Sequence, residues 1–135
     1  MSNTHHYFSN ALGSVDYVPE AYVQLRWSGQ LLRSLELRAL YVHTRNLLER
    51  EKLCCLLADH RAMSAAPLAA DQHWLLQQWL PDLAGRRHTT HYAVLPALNP
   101  ACRLHTATVV QDLQRYLSVA LFDDPRQAVA WLQAA

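Results

Sequence analysis

Hydrophobic residues along this chain change period several times, and the changes mark out the elements. In Tyr22 to Trp27, Val23, Leu25 and Trp27 fall on one face while Gln24 and Arg26 fall on the other, the alternation of a half-buried strand. Ser14 to Val18 has the same aromatic and β-branched character. Pro19-Glu20 breaks the run between them as a turn, so the two segments predict a hairpin, closed by Ser28-Gly29. From Ser34 to Lys52 the period lengthens. Leu37, Leu40, Tyr41, Leu47 and Leu48 form a helical stripe, with Glu36 early and Arg50 and Lys52 late, as the helix dipole favours. The run Leu53-Cys54-Cys55-Leu56-Leu57-Ala58 follows with almost no loop and ends abruptly in Asp59-His60-Arg61. A continuous apolar run of that length is the pattern of a central strand buried on both faces.

Beyond Met63, Ser64-Ala65-Ala66-Pro67 leads into a helix over Leu68 to Ala84, where Leu68, Leu75, Leu76, Trp79, Leu80 and Leu83 recur at helical spacing. Pro81 lies inside it and predicts a kink or an irregular last turn, because proline removes one backbone hydrogen bond. His91 to Leu95 reads as a strand ended by Pro96. Asn99-Pro100 opens a helix over roughly Leu104 to Arg115, with Val109, Val110, Leu113 and Tyr116 as its inner face. Leu117 to Phe122 is the last strand. Asp124 followed by Pro125 starts a final helix with Ala128, Val129, Trp131 and Leu132 on its apolar side. The order β-β-α-β-α-β-α-β-α implies an α/β domain over residues 1–135, a mixed sheet with flanking helices. Its N-terminal hairpin is antiparallel, and its later strands are parallel and joined by right-handed crossovers.

Composition narrows the function classes. Of 135 residues, 51% are hydrophobic, enough to bury a core without disulfide or metal staples. A net charge of +1 with 17% charged residues offers no basic field for a phosphate backbone, so nucleic acid is not an expected partner. Cys54 and Cys55 are adjacent in the predicted strand and are expected on opposite faces. With Cys102 they read as reduced core thiols of a cytoplasmic protein. The start of the chain lacks a basic region followed by an apolar one, and no window approaches the roughly 20 apolar residues of a membrane span.

Four motifs, in this order and spacing, resemble the small bacterial proteins with the SpoIIAA-like fold, also called STAS-like domains. They are Leu25-Arg26-Trp27-Ser28-Gly29, the strand end Leu56 to Met63, the Trp74 to Leu83 helix with Trp79-Leu80-Pro81, and Phe122-Asp123-Asp124 followed by Ala128 and Trp131-Leu132. The resemblance covers nearly the whole chain. It implies an interaction module without catalysis. In the antagonist branch of that family the strand corresponding to Leu53 to Ala58 is followed by aspartate and then serines, one of them phosphorylated. Asp59 keeps the aspartate, whereas His60 and Arg61 stand where the serines would be, which puts that phosphoswitch in doubt. Ser64 is the nearest substitute.

Asp59, His60 and Arg61 are the leading candidates for a functional surface, since ligands of open α/β sheets gather at the carboxyl edge. Two readings stay open. In one, the carboxylate orients an imidazole that titrates near neutral pH, and the guanidinium holds an anionic group. In the other, Asp59 accepts N–H groups of its own loop, Arg61 lies along the surface and His60 is exposed. Trp74 sits off the centre of the Leu76, Trp79, Leu80 stripe and is a candidate cap for a pocket or a homodimer contact. The eight histidines scatter over different elements; His88 with His91 and His5-His6 are the nearest pairs, and His5-His6 are expected to fray with the terminus. With three glycines there is no phosphate-cradling loop, and no Gly-x-Ser-x-Gly elbow occurs. Arg103 and His105 stand close to Cys102 and favour its thiolate, yet a lone cysteine at a helix start is more often inert.

The sequence thus predicts a protein-binding module that docks an unidentified partner through Asp59 to Ser64, with no cofactor, no metal and no enzymatic step. Homodimerisation is a further expectation. The alternative is a carrier of small apolar ligands, with its pocket between the helix over residues 68–84 and the sheet.

Overall fold

The computed structural model describes residues 3–85 and 89–135. Strands β1 (His5–Asn10), β2 (Gly13–Val18), β3 (Tyr22–Trp27), β4 (Cys55–Asp59), β5 (His91–Leu95) and β6 (Ser118–Leu121) lie side by side in chain order. β1, β2 and β3 are antiparallel neighbours, and β3 through β6 run parallel. The α/β fold with an N-terminal hairpin is therefore present, preceded by one further strand. His5 and His6 belong to that strand instead of fraying: His5 pairs with Tyr17, and His6 Nδ1 lies 2.8 Å from Asp16 Oδ1.

Helix α1 (Ser34–Glu51) follows β3, and a helical segment of three parts follows β4: α2 (Ala69–Trp74), a π-helical turn (Leu75–Trp79) and α3 (Leu80–Gly85). Helix α4 (Pro100–Leu113) follows β5, and α5 (Pro125–Gln133) follows β6. Residues of α1, of the 69–85 segment and of α4 share one core with Val23, Leu25, Leu56, Ala58, Tyr92 and Val94. On the opposite face, Ala128 and Leu132 of α5 cover Cys55, Leu57, Ala93 and Leu95. The sheet is thus buried under three helical segments on one side and one short helix on the other. The starts of α4 and α5 follow their capping residues. Asn99 and Asp124 each accept a backbone N–H two residues on, at 2.9 Å, and each is followed by proline at the first helical position.

Pro81 cannot supply an N–H to the turn before it, and the helix widens into its π turn immediately ahead of it. The irregularity therefore falls before the proline, and the chain continues helically through it. The widened turn brings Trp79 inward, where its Nε1 donates to the Tyr41 carbonyl at 2.6 Å. A second tie joins the same helices at their starts: buried Asp71 accepts from Ser34 Oγ at 2.8 Å and from Arg38 Nε at 3.0 Å.

Two further expectations are corrected. Cys54 lies just before β4, not within it, so strand alternation does not separate it from Cys55, and the two sulfurs are 3.4 Å apart. Tyr116 falls beyond the end of α4 and is half exposed, while Cys102, His105 and Thr106 join Val110 and Leu113 on the buried side of that helix. Gly13 opens β2 opposite Trp27, and a Cβ there would collide with the carbonyl oxygen of Arg26. Because backbone cannot rotate away as a side chain can, Gly13→Ala is expected to lower stability by about 2 kcal/mol in urea unfolding. An unchanged midpoint would show that the β2–β3 pair opens there freely.

Candidate functional site at the carboxyl edge

Parallel pairing sets Arg26, the penultimate residue of β3, beside Asp59, the last residue of β4. Arg61 turns back onto the same carboxylate in a two-pronged contact, with Nε to Oδ1 at 3.0 Å and Nη2 to Oδ2 at 2.9 Å, and its backbone N–H donates to Oδ1 at 3.1 Å. Burial pushes the Asp59 carboxyl up, but the hydrogen bonds and charge of Arg61, with the charge of Arg26, outweigh it and hold the group below its usual value. The following loop closes against the next strand: His60 N donates to the Leu95 carbonyl at 2.9 Å, and Leu98 N donates to the Arg61 carbonyl at 3.3 Å. Arg26, Trp27, Asp59, Arg61, Ala62 and Leu98 together line an open crevice of about 380 Å³. Two guanidiniums meet one carboxylate there, so the crevice carries excess positive charge.

His60 points the other way. It is 4% exposed, its ring centroid is 6.2 Å from that of Trp27, and its Nδ1 finds no partner among the described residues. Neither ring nitrogen of buried His105 finds one either, nor does Trp27 Nε1. Burial, followed by the neighbouring His105, lowers the His60 pKa to about 4 against a weak opposing pull from Asp59. Burial lowers that of His105 as well. The expectation of an imidazole oriented by Asp59 and titrating near neutral pH is therefore corrected. So is that of an exposed His60, because strand alternation carries residue 60 into the core under α4, while residue 59, itself buried, takes the opposite face beside Arg26. The part of the second reading that holds is Asp59 accepting the N–H of its own loop.

The remaining candidates separate. Ser64 is exposed in the same loop, and its carbonyl accepts from Asn99 Nδ2 at 3.1 Å. Trp74 is half-buried, stands apart from the crevice, and packs between Arg38, whose Cζ lies 5.2 Å from its ring centre, and Tyr41 at 6.5 Å. The histidines serve packing at several places: His43 stacks on Phe8 at 3.9 Å, and His91 meets Trp131 edge-on at 5.2 Å. His88 lies outside the described residues. Among the described residues, no three His, Cys, Asp or Glu side chains gather as a metal site. Cys102 is buried, and burial raises its thiol pKa, away from the thiolate that the nearby Arg103 and His105 could have favoured.

The same end of the sheet carries exposed leucines, of which Leu98 lines the crevice and Leu68, expected on the apolar stripe of its helix, is exposed instead. Leu31 and Leu35 follow β3, Leu68 follows β4, and Leu98 and Leu104 follow β5, each 64% to 86% exposed. Ala66, Gln72, Leu104 and His105 line a separate hollow between the stretch after β4 and α4. Arg26 was legible as the outward position of β3, but its place beside Asp59 required the parallel register. Leu98 required the closure of the β5 loop onto Arg61. No helix among the described residues is long and apolar enough to cross a membrane. No family model, curated protein or solved structure matches this chain.

Proposed function

We propose that this domain is a non-catalytic docking module of STAS-like type, which seats an acidic and apolar segment of a partner protein on the carboxyl end of its sheet. One observation carries the reading. Five exposed leucines lie on the loops and first turns that follow three successive parallel strands, at the end of the sheet that holds a crevice in which arginines outnumber the carboxylate, and one of them, Leu98, lines it. Scattered exposed leucines need no explanation, but leucines gathered at one end with arginine among them have the composition of an interface. The Asp59–Arg61 pair fixes the crevice floor, leaving exposed Arg26 to receive the partner's carboxylate. With His60 buried, a side chain at that position is out of reach of a kinase, which favours docking without the phosphoswitch of the antagonist branch. Three free thiols suit a reducing cytoplasm.

The carrier alternative has less support. Leu75, Trp79, Leu80 and Leu83, each at most 2% exposed, fill the space between the 69–85 segment and the sheet where its pocket would lie.

A photo-crosslinking residue placed at Leu98 or Leu68 is expected to capture one discrete protein in cells, and the same residue at Gln133 on α5 is expected to capture none. Arg26→Gln should weaken the captured complex about tenfold or more while leaving the fold intact by circular dichroism. Equal labelling from all three positions, or a stoichiometric small molecule on the purified protein, would overturn the proposal.

A further inference from the structure

The two edges of the sheet are treated differently. β1 carries a register break between His6 and Phe8 and exposed histidines at its start, features that discourage pairing with another chain. β6 has no bulge. From Leu117 to Phe122 it contains no proline and no charged residue. None of Ser118 to Leu121 is buried, because α5 lies over β4 and β5 and leaves the last strand largely uncovered. Ser118 N donates to the Thr90 carbonyl and Phe122 N to the Val94 carbonyl, both at 2.9 Å. Alternation then turns the N–H and C=O groups of Val119 and Leu121 outward, with no strand among the described residues to receive them.

We propose that this edge is a homodimer interface, in which two copies pair β6 antiparallel about a twofold axis at Ala120 and join their sheets into one. The charges on either side of the strand select this occupant and this direction. Arg115 precedes β6 and Asp123 follows it, while Asp124 is taken up as the cap of α5 and by Arg126 at 3.3 Å. Antiparallel pairing centred on Ala120 brings Arg115 of each copy, in the turn that closes α4, toward Asp123 of the other, at both ends of the shared ladder. Parallel pairing would set like charges together. Asp123 is available for this role: its side chain is 93% exposed and its contact with Arg103 is a long 3.7 Å. In the antiparallel register Val119 exchanges both backbone hydrogen bonds with Leu121 of the second copy, so four bonds form across the axis. Alanine at the centre suits the close approach of a non-hydrogen-bonded pair, and Leu121, 48% exposed in the single chain, gains a cross-strand neighbour in Val119. The interface is separate from the docking crevice and stands or falls without it.

Light scattering across a concentration series is expected to give a dimer for the full chain. Leu121→Pro removes only an outward N–H, so it should yield a monomer with an unchanged circular dichroism spectrum. Should that variant fold poorly, the charge pair supplies an independent arm on exposed residues. Arg115→Asp and Asp123→Arg should each raise the dimer dissociation constant about tenfold, and the double variant should restore it. A full chain that stays monomeric at high micromolar concentration overturns the proposal, and so does a dimer indifferent to both the proline and the charge changes. A monomer that instead binds an extended segment of another protein at this edge would also overturn it.

Discussion

Trp79→Ala is expected to destabilise the fold by about 3–5 kcal/mol, the range for emptying a large aromatic site in a packed core. Trp79 is 2% exposed and belongs to the π turn, and its ring centroid lies 4.9 Å from that of Tyr41 in an edge-on contact. Its indole N–H also satisfies a second lone pair on the Tyr41 carbonyl at 2.6 Å. Alanine would remove volume, ring contact and hydrogen bond together. Trp79→Phe would keep most of the volume and lose the hydrogen bond, with an expected cost of about 1–2 kcal/mol. Urea unfolding at constant m-value reads both. If alanine cost less than phenylalanine, the π turn would be held by the backbone around Pro81 and not by this side chain.

The buried histidine alone is expected to remove about 3 kcal/mol of stability between pH 6.5 and 4, most of it before the carboxylates take part near pH 4. The sign follows from His60, whose pKa falls from 6.5 in the unfolded chain to about 4 in the fold. Above pH 6.5 both states hold it neutral, and stability is flat. As the pH falls below that point the unfolded chain takes up the proton while the folded chain does not, so unfolding is favoved progressively until the folded group also protonates. His105, which faces it from α4, is lowered by burial and acts in the same direction. Asp59 works at lower pH: its depressed carboxyl contributes stability above the ordinary carboxylate value that is lost as the pH falls through its folded value. Unfolding titrations of the wild type and His60→Gln separate the two, since the variant should show a shallower slope between pH 6.5 and 4 and the same loss below. A wild-type curve flat through that window would mean that His60 reaches solvent.

The elements most legible in the sequence are those whose burial is one-sided or complete. β3 alternates, β4 is continuously apolar, and α5 announces its start with Asp124-Pro125. β1 was missed because the break between His6 and Phe8 destroys the alternation that marks a strand. The place of the π turn was not legible either, since the proline signals only a missing donor and not which turn widens to absorb it. At the site, Asp59 and Arg61 stood out by proximity, and their pairing is local. Arg26, Leu98 and His105 did not, because register and crossover bring them to residues 59 to 62 from 33 or more positions away. The inward turn of His60 was accessible in principle: it is one step beyond Asp59, and consecutive strand residues take opposite faces.

The spatial order of the strands is also their order in the chain, from β1 to β6 without exception. Each new strand therefore needs only the one before it as a template. On a ribosome, where the polypeptide appears from its amino end, the sheet can be laid down strand by strand as it emerges, with no gap held open for a later segment. Each ladder then closes one crossover and not the whole chain, which keeps the loop-closure entropy of every step small. Until α5 arrives, however, the face bearing Cys55, Leu57, Ala93 and Leu95 has no cover. Nascent chains stalled between residue 95 and α5 should for that reason be the ones that chaperones hold longest.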